Sequence, residues 1–219
     1  MPRFILRIWL DDRPGALGAV ASRIGSVRGD LVGIEILERG AGRVIDELIV
    51  DLPSLELVDL MVREVQEVDG VDVENIGLEP RPERDPRLDP ILSVASAIEQ
   101  DTLKGVVSEL CRRVSNDFMA KWCAIYNISE STVIDSYGER PLDGWLRAYI
   151  DGVLGGQAGS SGVDIDNQPS DLALTLLRNS GLVLILGRNG RPFRDLERMQ
   201  LDAIGRISDV KLALFVEAG

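Results

Sequence analysis

A sharp turn between two apolar runs constrains the fold of this chain more than any other stretch. Residues 4–10 and 31–37 each alternate in strand fashion, which predicts one strand before the turn and another after it. Pro14 suits the first turn of a helix, and Gly15 lets the backbone come close to a ligand. The apolar residues that follow have the spacing of an amphipathic helix. They are Leu17, Val20, Ala21, Ile24 and Val27.

The same turn offers both charges that a free amino acid needs from its binding site. The start of a helix leaves N–H groups unpaired and carries a partial positive charge, which suits a carboxylate. Asp11 and Asp12 add negative charge beside it, which suits an ammonium group. A structural role is the alternative, because an aspartate at the position of Asp12 can cap the helix. A paired-carboxylate catalytic site is disfavoured, since no apolar pocket is visible that would raise one of the two pKa values.

Three further elements complete a small α+β domain. Residues 44–52 predict a third strand, in which Asp46 is the odd member of an otherwise apolar face. Pro53 and Ser54 end that strand, a second amphipathic helix follows, and residues 71–78 predict a fourth strand. The predicted order is β-α-β-β-α-β, the ferredoxin-like split β-α-β unit.

This order, the Pro14-Gly15-Ala16-Leu17 turn and the Gly29-Asp30 pair together resemble an ACT domain over residues 1–79. ACT domains are small amino-acid-sensing modules, and the resemblance implies a ligand bound between two such domains. At the polar positions 12 and 30 many members carry asparagine, whereas this chain carries aspartate at both. Asp30 has a plain alternative, since aspartate is common in turns. The ligand contacts that the resemblance implies are Asp11, Asp12, Arg13, Pro14, Gly15, Ala16, Asp30 and Leu31.

Residues 80–90 divide the chain. They contain four prolines and balanced charges, which is typical of an extended linker. We therefore expect an ACT-like domain over residues 1–79, a linker over 80–90 and a second domain over 91–219. In the second domain the pattern predicts two helices, two strands, a glycine-rich loop at 155–162, two more strands and a long helix. This order predicts an antiparallel sheet with helices on one face.

The end of the second domain resembles a GAF domain. The resemblance rests on residues 182–188, followed by Arg191-Pro192-Phe193 and Glu197 at the entry to the last helix. It implies a GAF-like domain that acts as a dimerising or signal-coupling scaffold, or else binds a ligand of its own. Four arginines lie here: Arg188, Arg191, Arg194 and Arg198. They can bind an anion or, as we expect, pair at the surface with Asp195, Glu197 and Asp202. The predicted buried side of the last helix consists of Leu196, Met199, Ala203, Ile207, Val210 and Leu214.

Composition disfavours several classes of function. The chain has no histidine, which excludes histidine-dependent nucleophiles and histidine metal sites. Its net charge of −12 disfavours nucleic acid and anionic membranes as partners. No apolar run approaches the ~20 residues of a membrane span, and no leader pattern is visible, so we expect a cytoplasmic protein. Cys111 and Cys123 lie in apolar surroundings, which predicts buried, reduced thiols.

We therefore expect a regulatory protein, not an enzyme, with no catalytic residues, no metal and no cofactor. The ACT-like domain is expected to bind an amino acid, and a homodimer is expected because pairing of exposed strand edges satisfies their free backbone groups. The second candidate is a dimerising interaction or signal-coupling scaffold without a small-molecule ligand. The two aspartates at positions 12 and 30 favour this second candidate slightly.

Overall fold

The structure, a computed structural model, describes residues 1–79, 88–155 and 169–216. The chain divides into two compact units, Met1–Arg84 and Asp85–Gly219. The described residues form two four-stranded antiparallel sheets and six α-helices, so the fold class is α+β. Within these residues no helix has both the length and the apolar composition to cross a membrane. The predicted linker lies largely outside the described residues, as does the glycine-rich loop after Gly155.

The first unit has the predicted order of elements. A short 3₁₀ helix, Leu55–Leu57, precedes its second α-helix. The elements are β1 (Arg3–Asp11), α1 (Ala16–Ser26), β2 (Asp30–Gly40), β3 (Arg43–Asp51), α2 (Val58–Gln66) and β4 (Asp72–Leu78). The strands are arranged in the order β2-β3-β1-β4, and each neighbouring pair is antiparallel. β1 is therefore paired on both sides, whereas β2 is an edge strand.

One face of this sheet packs against both helices. Because side chains alternate along a strand, every second residue of β1 faces that side. The core there joins Leu6 and Ile8 of β1 to Val20 and Ile24 of α1 and to Met61 of α2, all of them fully buried. The predicted apolar stripe of α1 is thus the face that the core buries, and it holds the helix over the sheet.

The second unit alternates helices and strands around its own sheet. Pro90, the last residue of the predicted linker, lies in the first turn of a helix, as the Asp89-Pro90 pair predicts. The elements are α3 (Asp89–Ile98), α4 (Leu103–Asp117), β5 (Trp122–Asn127), β6 (Thr132–Gly138), α5 (Asp143–Gly155), β7 (Leu172–Leu177), β8 (Leu182–Gly187) and α6 (Asp195–Val216). The strand order is β6-β5-β8-β7, antiparallel throughout.

The prediction that all helices lie on one face of this sheet is wrong. One face packs against α3, α4 and α6 through residues such as Leu184 of β8. The opposite face packs against α5, where Leu146 and Ile150 contact a cluster that includes Val183 and Ile185. Both faces are covered because β8 is apolar at successive positions, so each face of the strand has apolar surface to remove from water.

The predicted buried side of α6 is also wrong. Most of that stripe is exposed, with Met199 at 68%, Ile207 at 53% and Leu214 at 62% of full exposure. The buried side instead contains small and polar residues together with Leu201, Ile204 and Leu212. Within this buried side, Gly205 and Asp209 determine which side of α6 faces the sheet.

The buried side of α6 is fixed by close contact and hydrogen bonding. A Cβ on Gly205 would lie 2.5 Å from Cγ2 of Thr175, so the helix comes closer to β7 than any larger residue would permit. Asp209 accepts hydrogen bonds from the backbone N–H groups of Asn179 and Ser180, at 2.7 and 3.0 Å, in the turn between β7 and β8. These contacts outweigh the apolar stripe, because a turn whose N–H groups are buried must find acceptors.

Arg188 lies in the interior and not in a surface cluster as predicted. Its guanidinium is 3% exposed and donates to both carboxylate oxygens of Glu197, at 2.8 and 2.7 Å. It also donates to the carbonyl oxygens of Phe118 and Pro192 and lies 3.9 Å from the ring centroid of Phe193. The Pro-Phe-x-x-x-Glu pattern therefore builds a buried arginine site that joins β8 to the start of α6.

Both cysteines are free and buried, as predicted. Burial raises the pKa of the Cys123 thiol well above its usual range, and the neighbouring thiol of Cys111 raises it further. The Cys123 sulfur is therefore a thiol and not a reactive thiolate at neutral pH, and it is the thiolate that is the nucleophile.

We predict that Arg188→Met destabilises the second unit by about 3–5 kcal/mol, because Glu197 is left as an unpaired buried charge. Urea unfolding of the full chain, followed by circular dichroism, measures the loss. The matched control is Arg147→Ala, which removes an exposed pair with Asp151 at 3.7 Å. It should cost less than about 1 kcal/mol. Equal losses for the two variants would contradict the buried-pair explanation.

Candidate functional site

The predicted ligand turn lies between the end of β1 and the start of α1. The N–H of Asp12 donates to the carbonyl of Gly42 at 2.9 Å, which ties the turn to the β2–β3 hairpin. Gly15 occupies the N-cap position of α1 with a φ of +87°, and no side chain caps the helix. The interpretation of Asp12 as a helix cap is therefore wrong. Pro14 lies in the turn, before the first helical residue Ala16 and not within the first helical turn as predicted.

Asp11 and Arg13 fasten this turn to the loop before β4. The Arg13 Nε atom lies 3.7 Å from Oδ2 of Asp11, and its Nη2 donates to the carbonyl of Asp69 at 3.4 Å. A Cβ on Gly70 would lie 2.3 Å from Oδ2 of Asp11, so the loop passes directly over that carboxylate. Both charged side chains are half-exposed, and such a pair contributes at most ~1 kcal/mol. Asp12 is left as the exposed carboxylate of the turn.

Asp30 and Leu31 lie at the far end of the sheet from this turn. Asp30 is opposite Asp51, which in turn is opposite Arg3 at the start of β1. Asp12 follows the other end of the same strand, and nine residues of strand span about 25 Å. One copy of the chain therefore does not bring Asp12 and Asp30 together. Ala16 and Leu31 pack against the core, so they offer a ligand little beyond backbone groups.

The start of the sheet carries its own ion pair. Arg3 donates to both carboxylate oxygens of Asp51, at 2.7 and 2.8 Å, directly beside Asp30. The hydrogen bond from Arg3 lowers the pKa of Asp51, which is therefore ionised at neutral pH. Asp30 itself is exposed and borders this pair.

Asp46 is a carboxylate that the sequence marked as odd but did not assign to the site. It is 3% exposed, and its Oδ1 atom is buried without a hydrogen-bond partner among the described residues. In the sheet it lies between Ile8 of β1 and Ile36 of β2. Burial raises its pKa, the charge of Arg39 opposes that rise, and the charge of Asp12 adds to it. Asp12, Arg39 and Asp46 thus form one electrostatic cluster at the end of the sheet where α1 begins.

The edge strand beside this cluster exposes apolar side chains. Val32, Ile34 and Ile36 are 44%, 38% and 42% exposed. Ile34 pairs with Leu48 and Ile36 with Asp46, so both face the side of the sheet that α1 partly covers. An apolar strip on an unpaired strand edge is unusual in a monomeric protein, because the edge can pair with another chain.

The face of this sheet that points away from α1 and α2 contains a buried arginine, whose role is to hold neighbouring strands together. Arg7 is 1% exposed and contacts the carboxylate of Glu47 at 2.9 Å and that of Glu74 at 3.8 Å. Trp9 donates to Glu74 at 3.2 Å. The guanidinium is thus neutralised by residues of β3 and β4, and these contacts hold the three strands in register.

In the second unit a shallow groove of about 630 Å³ runs along α6. Its apolar lining includes Ile207, Val210 and Leu214, and Arg206 and Lys211 are its charged residues. The described parts of the chain contain no group of three or more side chains placed to hold a metal ion. That the chain needs no metal or cofactor, and is no enzyme, stays a prediction.

No protein-family model matches the chain, and no curated protein matches it. Several solved structures are similar to parts of this chain. The ACT domain from GTP pyrophosphokinase of Chlorobium tepidum is 14% identical, with a TM-score of 0.29, over 36% of this chain and 100% of that one. The C-terminal domain of the MgtC protein from Mycobacterium tuberculosis is 13% identical, with a TM-score of 0.32, over 39% and 95%.

Another similar structure is an unknown protein from Galdieria sulphuraria. It is 10% identical, with a TM-score of 0.33, over 45% of this chain and 63% of that one. Similarities at this level assign neither a family nor a function to the chain. The resemblance of the first unit to an ACT domain therefore rests on its residues, and the GAF-like character of the second unit stays a prediction.

We predict that Gly15→Ala destabilises the first unit by about 1–2 kcal/mol, because a Cβ is strained at the positive φ that Gly15 adopts. Gly18→Ala is the matched control, since Gly18 lies within α1 with open space around it. That change should stabilise the helix by about 0.5–1 kcal/mol. Thermal unfolding of both variants measures the difference, and a stabilised Gly15→Ala would contradict the turn geometry.

We predict that Asp46→Asn makes the protein more stable than the parent at neutral pH. The folded state holds the Asp46 proton more tightly than the unfolded state, so the parent loses stability as pH rises through the ordinary aspartate range to the raised pKa. The difference between variant and parent should shrink as pH falls below that range. Urea unfolding at several pH values measures it, with the exposed Asp59→Asn as control. A gain that does not depend on pH would contradict a buried, poorly solvated carboxylate.

Proposed function

We propose that this chain is a non-catalytic regulatory protein that binds an amino acid through its first unit, an ACT-like domain with a ferredoxin-like arrangement. The observation that carries the proposal is the turn at residues 11–16. There an uncapped helix start, an exposed Asp12 and a left-handed Gly15 lie at one end of the sheet. This arrangement supplies donors for a carboxylate and an acceptor for an ammonium group within one turn.

The proposed binding unit is a homodimer, because Asp12 and Asp30 are separated in one copy. If two copies pair antiparallel through β2, the Asp30 end of one strand lies beside the Gly40 end of the other. The Gly40 end adjoins the hairpin that holds the Asp12 turn. A two-fold axis therefore builds two identical clamps, each from the turn of one copy and the Asp30–Leu31 segment of the other. The exposed apolar residues of β2 support this pairing.

The polarity of the clamp follows from its charges. The ligand carboxylate faces the N–H groups at the start of α1, where the helix dipole favours an anion by ~0.3–1 kcal/mol. The ammonium group faces Asp12, Asp30 or both, and a hydrogen bond to a charged group contributes ~1.5–3 kcal/mol. In the absence of a cation the two carboxylates repel each other, so the empty clamp favours a cationic group.

On this proposal the second unit is a GAF-like domain that couples the bound state of the first unit to a partner. The protein works in the cytoplasm, without a cofactor and without binding nucleic acid or membranes. The net charge of −12 supports the last point, because both of those partners are themselves anionic.

A dimerising or signal-coupling scaffold without a ligand is the second candidate. The exposed apolar side of α6 favours it, since Ile207, Val210 and Leu214 are more than half exposed. Such a face is typical of a helix that packs against another chain. This candidate predicts a dimer whose stability does not change with any amino acid.

We predict that the full chain binds at least one of the twenty amino acids in isothermal titration calorimetry. Asp12→Asn and Asp30→Asn should each weaken that binding by about tenfold or more, because each removes a charged acceptor. Asp59→Asn, an exposed carboxylate on α2, is the control and should bind as the parent does.

Sedimentation and circular dichroism complete this test. The parent should sediment as a dimer at micromolar concentration, and all three variants should keep the parent spectrum. A dimer that binds none of the amino acids would favour the scaffold. A monomer that binds one would show that the clamp needs no second copy and has been assigned to the wrong residues.

A further inference from the structure

Asp46 requires a physical explanation that the fold itself does not supply. A buried carboxylate is costly unless a cation or hydrogen-bond donors pair with it. The other buried acids of the described residues meet this requirement: Glu197 binds Arg188, and Asp209 binds backbone N–H groups. Within the part of the chain that the structure describes, the Oδ1 atom of Asp46 has no such partner. Packing alone would favour leucine or valine here, as at the neighbouring positions Leu48 and Val44 of the same face.

The surroundings of Asp46 have the composition of a small binding site. Across the strand pair, Asp46 adjoins Ile36, and the next residue on that face of β2 is Ile34, both of them partly exposed. Arg39 lies opposite Val44, so it faces the same side of the sheet at the end where α1 begins. A buried anion, an exposed cation and an open apolar strip therefore lie in sequence along one edge.

We propose, on the basis of the amino-acid-binding function above, that Asp46 receives the ammonium group of the ligand. The ligand is then an aliphatic amino acid, whose side chain packs on Ile34 and Ile36. Its carboxylate lies between Arg39 and the start of α1. Asp12, together with Asp30 of the second copy in the proposed dimer, remains an outer acceptor of the same cation.

Burial makes Asp46 a stronger and more selective receptor than Asp12. An ion pair gains more where water is excluded, and a carboxylate already removed from water pays less further desolvation when the ammonium arrives. Ligands without an ammonium group leave Asp46 unpaired and are therefore rejected. The apolar strip in turn selects the side chain, since a polar one would lose water there without gaining a partner.

The experiment is titration calorimetry on the full chain with leucine and two analogues. 3-Methylbutylamine lacks the carboxylate of leucine, and 4-methylpentanoate lacks its ammonium group. We expect leucine to bind the parent, the amine to bind more weakly, and the acid to show no binding. This comparison needs no variant and so does not depend on the folding of one.

The matched variants are Asp46→Asn and Asp59→Asn, each checked by circular dichroism. We expect Asp46→Asn to bind leucine at least tenfold more weakly than the parent and Asp59→Asn to bind it equally well. If Asp46→Asn binds leucine as tightly as the parent, Asp46 is not the receptor, although the amino-acid-binding function stands. Binding of 4-methylpentanoate comparable to that of leucine would likewise overturn the assignment.

The choice of ligand separates the remaining outcomes. If the parent binds a polar amino acid and not leucine, the apolar strip does not select the side chain and the assignment of ligand class is wrong. If Ile36→Ser lowers the affinity for leucine more than for alanine, the strip contacts the side chain as proposed. A parent that binds no amino acid at all would overturn both this inference and the function on which it rests.

Discussion

The need to pair every buried charge shapes both units of this protein. In the second unit Arg188 and Glu197 neutralise each other between β8 and α6, and the guanidinium also donates to three carbonyl oxygens. In the first unit Arg7 is held by Glu47 and Glu74 across three strands. Such pairs add little net stability compared with apolar packing, but losing one partner is costly, so they fix which segments must lie together.

Asp46 differs from these groups because its buried Oδ1 atom has no hydrogen-bond partner among the described residues. The other buried acids of the described residues have partners, whereas the Oδ1 atom of Asp46 does not. A cation that binds Asp46 therefore gains more electrostatic energy than it would beside a carboxylate in water. The same position adjoins an unpaired strand edge with exposed isoleucines. The free edge, the open carboxylate and the uncapped helix start all lie toward one side of the first unit, where pairing with a second copy and ligand binding would reinforce each other.

In β8 the local sequence pattern indicates which faces are buried, whereas in α6 tertiary packing determines which side is buried. The continuous apolar run of β8 indicates that both faces of the strand are buried, and helix α5 covers the second face. α6 offers two candidate sides to the core. The one with more apolar residues is exposed, because Gly205 permits close approach to β7 and Asp209 binds the β7–β8 turn. Hydrophobic periodicity alone has no means of weighing a hydrogen-bonded carboxylate against an apolar stripe.

Side-chain patterns in the sequence predict the order of the elements in the first unit, the strand-turn-helix at Pro14 and Gly15, and the buried state of the two cysteines. These follow from side-chain periodicity and backbone preference, which act over a few residues. The positions of Asp12 and Asp30 at opposite ends of the sheet, and of Asp46 near Asp12 and Arg39, follow from strand pairing and not from local pattern. Strand register sets the distances between residues far apart in the chain, and register depends on the whole sheet and its core.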